Sequence, residues 1–114
     1  MTLDNFLNKL NIQPEQVEFT DTMAVIEANY EFKETAFTNG NQNNAAGENS
    51  GSCKLFSFAQ LNSFSEAQTL ACFGAYYRID VLKYPEASDH QNIRQFIING
   101  WSAIHFDSVA LTIK

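Results

Sequence analysis

The chain has 114 residues, with 7 basic against 13 acidic side chains and a net charge of −6. Its cations are scattered. A nucleic-acid surface needs clustered Lys and Arg to displace counterions, so that class of partner is excluded, as is an anionic membrane surface. No apolar run approaches the length that spans a bilayer. The opening MTLDNFLNKLN is amphipathic and lacks the basic and apolar regions of a secretory signal peptide.

Residues 1–114 read as a single domain, large enough to fold around one core without a metal or disulfide staple. Ten phenylalanines predict an aromatic core, because each ring buries on the order of 150–250 Å². The two cysteines, Cys53 and Cys72, are too few for a disulfide scaffold and fit a reducing compartment.

In chain order, Leu3, Phe6, Leu7 and Leu10 make one apolar helix face, with Thr2 as its cap. Pro14 separates this helix from a second, opened by Thr20-Asp21 and running through DTMAVIEANYEF with Met23, Ile26 and Tyr30 as its stripe. Glu34–Thr38 reads as a short strand. The asparagine-rich run Asn39–Gly51 reads as a surface loop, and Asn39-Gly40 within it is a type I′ hairpin signal. Ser52 is placed as the cap of a third helix from Cys53 to about Asn62. That helix is apolar nearly all round, so it is expected at the centre of the molecule.

Ser65 and Gln68 form a capping box for a fourth helix, whose stripe Leu70, Phe73, Tyr77, Val81 and Tyr84 runs to Pro85. Ser88 to Gln91 repeats the pattern for a fifth, carried by Ile93, Phe96 and Ile97 and closed by Gly100. Strand character returns around Ile104–Phe106 and Val109–Ile113. The fold class is therefore α+β: mainly helical, about five helices, with a small antiparallel sheet or an extended C-terminal tail.

Cys53 is the residue whose expected position carries chemistry. As the first residue of a helix it would meet unpaired amides and the positive end of the dipole, which favour a thiolate. Lys54 adds a cation, and the Gly51 and Ser52 amides could cradle an oxyanion. His90 is placed in the first turn of its own helix, which suits the neutral imidazole of a general base, with Asp89 and Asn92 as orienters. The reading that follows is a thiol-dependent hydrolase or transferase using Cys53, His90 and Asp89. Its plain alternative makes Cys53 a small residue at a helix start and His90 a turn residue. Cys72, mid-helix among apolar neighbours, is expected in the core.

Two likenesses fail on spacing. Gly47 to Lys54 lacks the glycine interval and the adjacent lysine of a P-loop. GSCKLFSF matches the papain-type cysteine segment over a few residues, but Gly47 stands where that pattern needs Gln and Lys54 where it needs an aromatic. A simpler anion nest of Gly51, Ser52 and Lys54 remains. Cys53, Cys72, His90 and His105 show no paired metal-ligand spacing, so no metal and no cofactor are expected.

The blocks AFTNG, AAGENSGSCKLFSFAQL, TLACFGAYYR and DHQNIRQFIINGW resemble the HopJ type III effector family, from about Val17 to Phe106. The resemblance implies a bacterial source and a host-directed role, since the family is named for a protein delivered into plant cells by a type III secretion system. It implies no catalytic residues. The function expected is that of a small partner- or ligand-binding module, with a host or bacterial protein or a small anionic ligand as its target. The ordered look of the N-terminal helix favours a resident of the bacterial cytoplasm.

Overall fold

A computed structural model describes residues 2–114. Thr2 caps α1 (Leu3–Ile12) as expected, its hydroxyl accepting the Asn5 amide at 3.1 Å, and the helix buries Phe6 and Leu10. A 3-10 turn at Pro14–Gln16 redirects the chain into α2 (Phe19–Asn29). The cap of α2 is Glu18, ahead of the Thr20-Asp21 start read from the sequence. Asp21 reaches back to accept the Glu18 amide at 3.1 Å and also takes the Lys9 ammonium of α1 at 3.1 Å. Burial pulls the Asp21 carboxyl upward, but these two donors outweigh it and hold the group below its ordinary value.

The second helix was expected to continue through Phe32. It stops at Asn29, because the next residues form β1 (Tyr30–Phe32), which pairs antiparallel with β5 (Leu111–Ile113) at the far end of the chain. Tyr30 is buried as the helical stripe required, but from a strand. A second sheet has the order β3-β2-β4, from β2 (Phe37–Asn39), β3 (Gln42–Asn44) and β4 (Ile104–Phe106). Asn39 and Gln42 face each other across the turn, so its central residues are Gly40 and Asn41. Only Gly40 of these takes a positive φ, +58°. The turn therefore has glycine at its first central position, rather than the Asn-Gly centre of a type I′ turn.

The all-apolar third helix is central, as expected. α3 (Ser50–Leu61) buries Leu55, Phe56 and Phe58 completely. Phe56 meets Phe73, Phe96 and Trp101 with ring centroids at 5.4, 5.1 and 6.1 Å. Phe58 meets Phe6, Tyr30 and Phe64 at 5.7, 5.7 and 5.4 Å. Cys72 lies in this core as expected.

The capping box that opens α4 (Glu66–Ala71) is formed in both directions: the Gln68 amide donates to Ser65 Oγ at 3.1 Å and the Ser65 amide to Gln68 Oε1 at 2.9 Å. The helix does not run on to Pro85. Gly74 takes φ +61°, and a Cβ there would stand 2.7 Å from the Phe19 backbone nitrogen. The chain passes too close to the start of α2 for any other residue. It resumes as a π-helix over Tyr76–Val81. α5 (Gln91–Asn99) follows, closed by Gly100 at φ +66°. The result is an α+β fold, mainly helical, with two small antiparallel sheets.

Candidate functional site

The starts of α3 and α5 open onto one cleft of about 420 Å³, with Phe19, Phe73 and Tyr76 as its aromatic wall. Both helices begin without a side-chain cap. Their N-cap residues, Asn49 and His90, sit in the left-handed region at φ +50° and +51°. The first backbone donor met by the Asn49 carbonyl is Cys53, at 3.0 Å, and by the His90 carbonyl it is Ile93, at 3.0 Å. The first-turn amides of Gly51 and Ser52, and of Gln91 and Asn92, are left over. Each helix thus directs its positive dipole end and its free N–H groups at the same space, the usual requirement for holding an anion.

Beneath the cleft, behind the Asn49 and Asn92 that line it, lies a floor of buried amides. Asn39, Asn44 and Asn92 are 0, 3 and 6 % exposed. Asn92 Nδ2 donates to Asn44 Oδ1 at 3.0 Å, and Asn49 Nδ2 donates to the same oxygen at 2.7 Å. Asn39 Nδ2 donates to the Asn92 carbonyl at 2.7 Å, and Asn44 Nδ2 to the Phe37 carbonyl at 3.2 Å. This network ties the β2–β3 hairpin to both helix starts. The Asn49 side chain donates through Nδ2 to Asn44 and makes no cap on α3. The asparagine-rich run read as a surface loop is therefore part strand and part buried framework.

His90 stands at the edge of the cleft. Its Nε2 lies 3.0 Å from Asp80 Oδ2 and 3.8 Å from Asp89 Oδ2, and its ring is 5.1 Å from that of Tyr76. Arg94 donates to Asp89 Oδ1 at 2.7 Å and to the Asp89 carbonyl at 2.6 Å. That guanidinium holds the Asp89 carboxyl below its ordinary range.

The structure brings Gly51, Ser52 and His90 to this cleft and sends Cys53 and Lys54 elsewhere. Cys53 is not the first residue of α3, because the helix begins at Ser50. It is only 2 % exposed, and its thiol points at the Thr35 carbonyl, 3.8 Å away. Burial pushes its pKa up to about 11, the reverse of the depression expected at a helix start. Lys54 lies 3.9 Å from Glu27 and 5.0 Å over the Phe32 ring, away from the cleft that Gly51 and Ser52 line. His90 is the N-cap of α5, not a first-turn residue, and Ser88 does not cap that helix. Asp89 is engaged by Arg94, while Asp80 makes the shorter contact to His90. Sequence reading missed Asp80, which lies within an apparently continuous helical stripe. It also missed Asn39 and Asn44, whose residue type signals a loop.

No functionally curated protein shows significant similarity to the chain. A crystal structure described as that of an unknown-function protein, VPA0580, superposes with a TM-score of 0.98 at 56% identity, covering 100% of this chain and 95% of that one. The profile of the HopJ type III effector protein family matches residues 3–111, nearly the whole chain. The blocks on which the resemblance rested include both uncapped helix starts, and with this match the chain belongs to the HopJ type III effector protein family.

Proposed function

We propose that the protein is a binding module for a small ligand carrying an anionic group on an apolar or aromatic body. The observation that carries this reading is the convergence of two uncapped helix N-termini on one cleft with an aromatic wall. The four first-turn amides receive the anion, and Phe19, Phe73 and Tyr76 receive the body. Directional recognition of this kind needs a fixed backbone, which the asparagine floor supplies.

The test is an amide chemical-shift titration with inorganic phosphate and with phenyl phosphate. Saturable shifts at Gly51, Ser52, Gln91 and Asn92 are expected, with phenyl phosphate binding more tightly. Ser52→Asp should keep the fold, since a carboxylate suits a helix first turn, and should weaken binding about tenfold or more through like charge. Shifts that are absent, or scattered away from these amides, overturn the reading.

Residence in the bacterial cytoplasm accompanies it. α1 places Phe6 and Leu10 in the core, so exporting these residues first would require unfolding the domain. A reporter fused to residues 1–20 should stay inside a type III-competent bacterium. Its delivery into host cells would establish the effector role instead.

A further inference from the structure

We propose that Asp80, Asp89 and His90 form a binding site for one divalent first-row transition-metal ion, of the zinc or manganese class, at the edge of the cleft. Each supplies one ligand atom, and the three atoms lie within 4.8 Å of one another. A metal held by imidazole nitrogen and carboxylate oxygen at about 2.0–2.2 Å places tetrahedral ligand atoms about 3.4 Å apart. The observed separations from His90 Nε2, 3.0 Å to Asp80 and 3.8 Å to Asp89, bracket that edge. An ion enters by small rotations of the two carboxylates, without backbone movement.

The remaining contacts of the cluster orient it. Arg94 holds Asp89 Oδ1 and the Asp89 carbonyl, which leaves Oδ2 turned toward His90. Fixing one carboxylate oxygen so that the other is presented is how outer contacts pre-form a metal ligand. Tyr76 sits against the imidazole from the cleft side. Asp80 comes from the π-helix, a kind of segment that recurs at functional sites. Two carboxylates and one imidazole balance a dication, and one nitrogen with two oxygens selects the borderline ions over the strictly oxygen-seeking magnesium. Three protein ligands leave a coordination position open.

This inference goes beyond the anion reading and is measured without an anionic ligand. The full chain, stripped with chelator, is titrated with ZnCl₂ and separately with MnCl₂ by calorimetry. Manganese is also read by paramagnetic broadening of amide signals. One saturable site is expected, with broadening centred on Asp80, Asp89 and His90, and much weaker binding of MgCl₂. Asp80→Asn and His90→Asn should each lower the affinity at least about tenfold. Asparagine tolerates the left-handed backbone at position 90. His105→Asn, on the exposed face of β4, should change nothing. The proposal is overturned if neither ion saturates a site, if Asp80→Asn and His90→Asn bind as the parent does, or if broadening centres elsewhere. Should a variant not fold, the broadening map of the parent chain decides alone.

Discussion

Two regions of this molecule are equally buried and held by opposite physics. Around Phe56 the contacts are ring against ring, and any shape that fills the space recovers most of the energy. Beneath the cleft, Asn39, Asn44 and Asn92 are as dry as the phenylalanines, yet each is fixed by directional hydrogen bonds. The first region makes the domain stable. The second sets the positions of two helix starts relative to one hairpin, which an apolar filling could not do. One orphan marks the strain of that arrangement: Asn39 Oδ1 is buried without a hydrogen-bond partner among the described residues. An oxygen in that state costs stability, so the floor is less than optimal as a stabilising device.

A matched pair of substitutions separates the two regions. Phe56→Ala should cost about 3–5 kcal/mol in urea unfolding, the largest single effect expected here, because the ring is fully buried against four others. Asn44→Leu keeps the branching at Cγ, adds some bulk and removes the acceptor shared by Asn92 and Asn49, and should cost about 1–3 kcal/mol. The two should part in the amide spectrum. Phe56→Ala should leave the Gly51 and Asn92 signals near their native positions in the folded fraction, whereas Asn44→Leu should displace both. If Asn44→Leu matches the parent in stability and spectrum, the floor is mere filling and the contrast collapses.

How legible each region was in the sequence follows the same division. The helices could be read because their signals are local: Thr2 as a cap, Ser65 with Gln68 as a box, and apolar residues three and four apart. The central position of α3 could be read because it is apolar all round. Two features that could not be read depend on contacts distant in sequence. β1 exists because β5 pairs with it, and the break at Gly74 exists because α2 begins against it. The site fared worst for the same reason. An asparagine carries a turn signal in its own neighbourhood, and its burial at Asn39 and Asn44 is decided by Asn92, about fifty residues away. Asp80 was hidden by a periodic stripe that continued through a helix of a different kind. Cys53 was misplaced by only a turn, yet that turned its side chain from the expected open helix end into the core.

The thiol gives the smallest and sharpest test of which helix-start residues belong to the cleft. Burial lifts Cys53 from 9.0 to about 11 and Cys72 to about 12. Both are neutral in the folded chain at pH 9, while an unfolded thiol there is half ionised. The unfolded state then binds fewer protons, so this contribution is fully present below pH 9 and is lost as pH rises toward about 11 for Cys53 and about 12 for Cys72. At Cys53 the two-unit lift corresponds to about 2–3 kcal/mol at most, spread over that window. Cys53→Ala should remove its own share of this alkaline decline and leave the share of Cys72, at the cost of a small packing loss visible at all pH values. Alkylation of the parent should be slow at pH 7 and rise only above pH 9, in step with the raised pKa. Fast alkylation at neutral pH, with a midpoint near or below pH 8.5, would return the thiol to the cleft and restore Cys53 as a nucleophile. A slow thiol leaves Gly51 and Ser52 facing the cleft as amides only, so that α3 serves the site through its backbone while its side chains from Cys53 onward build the core.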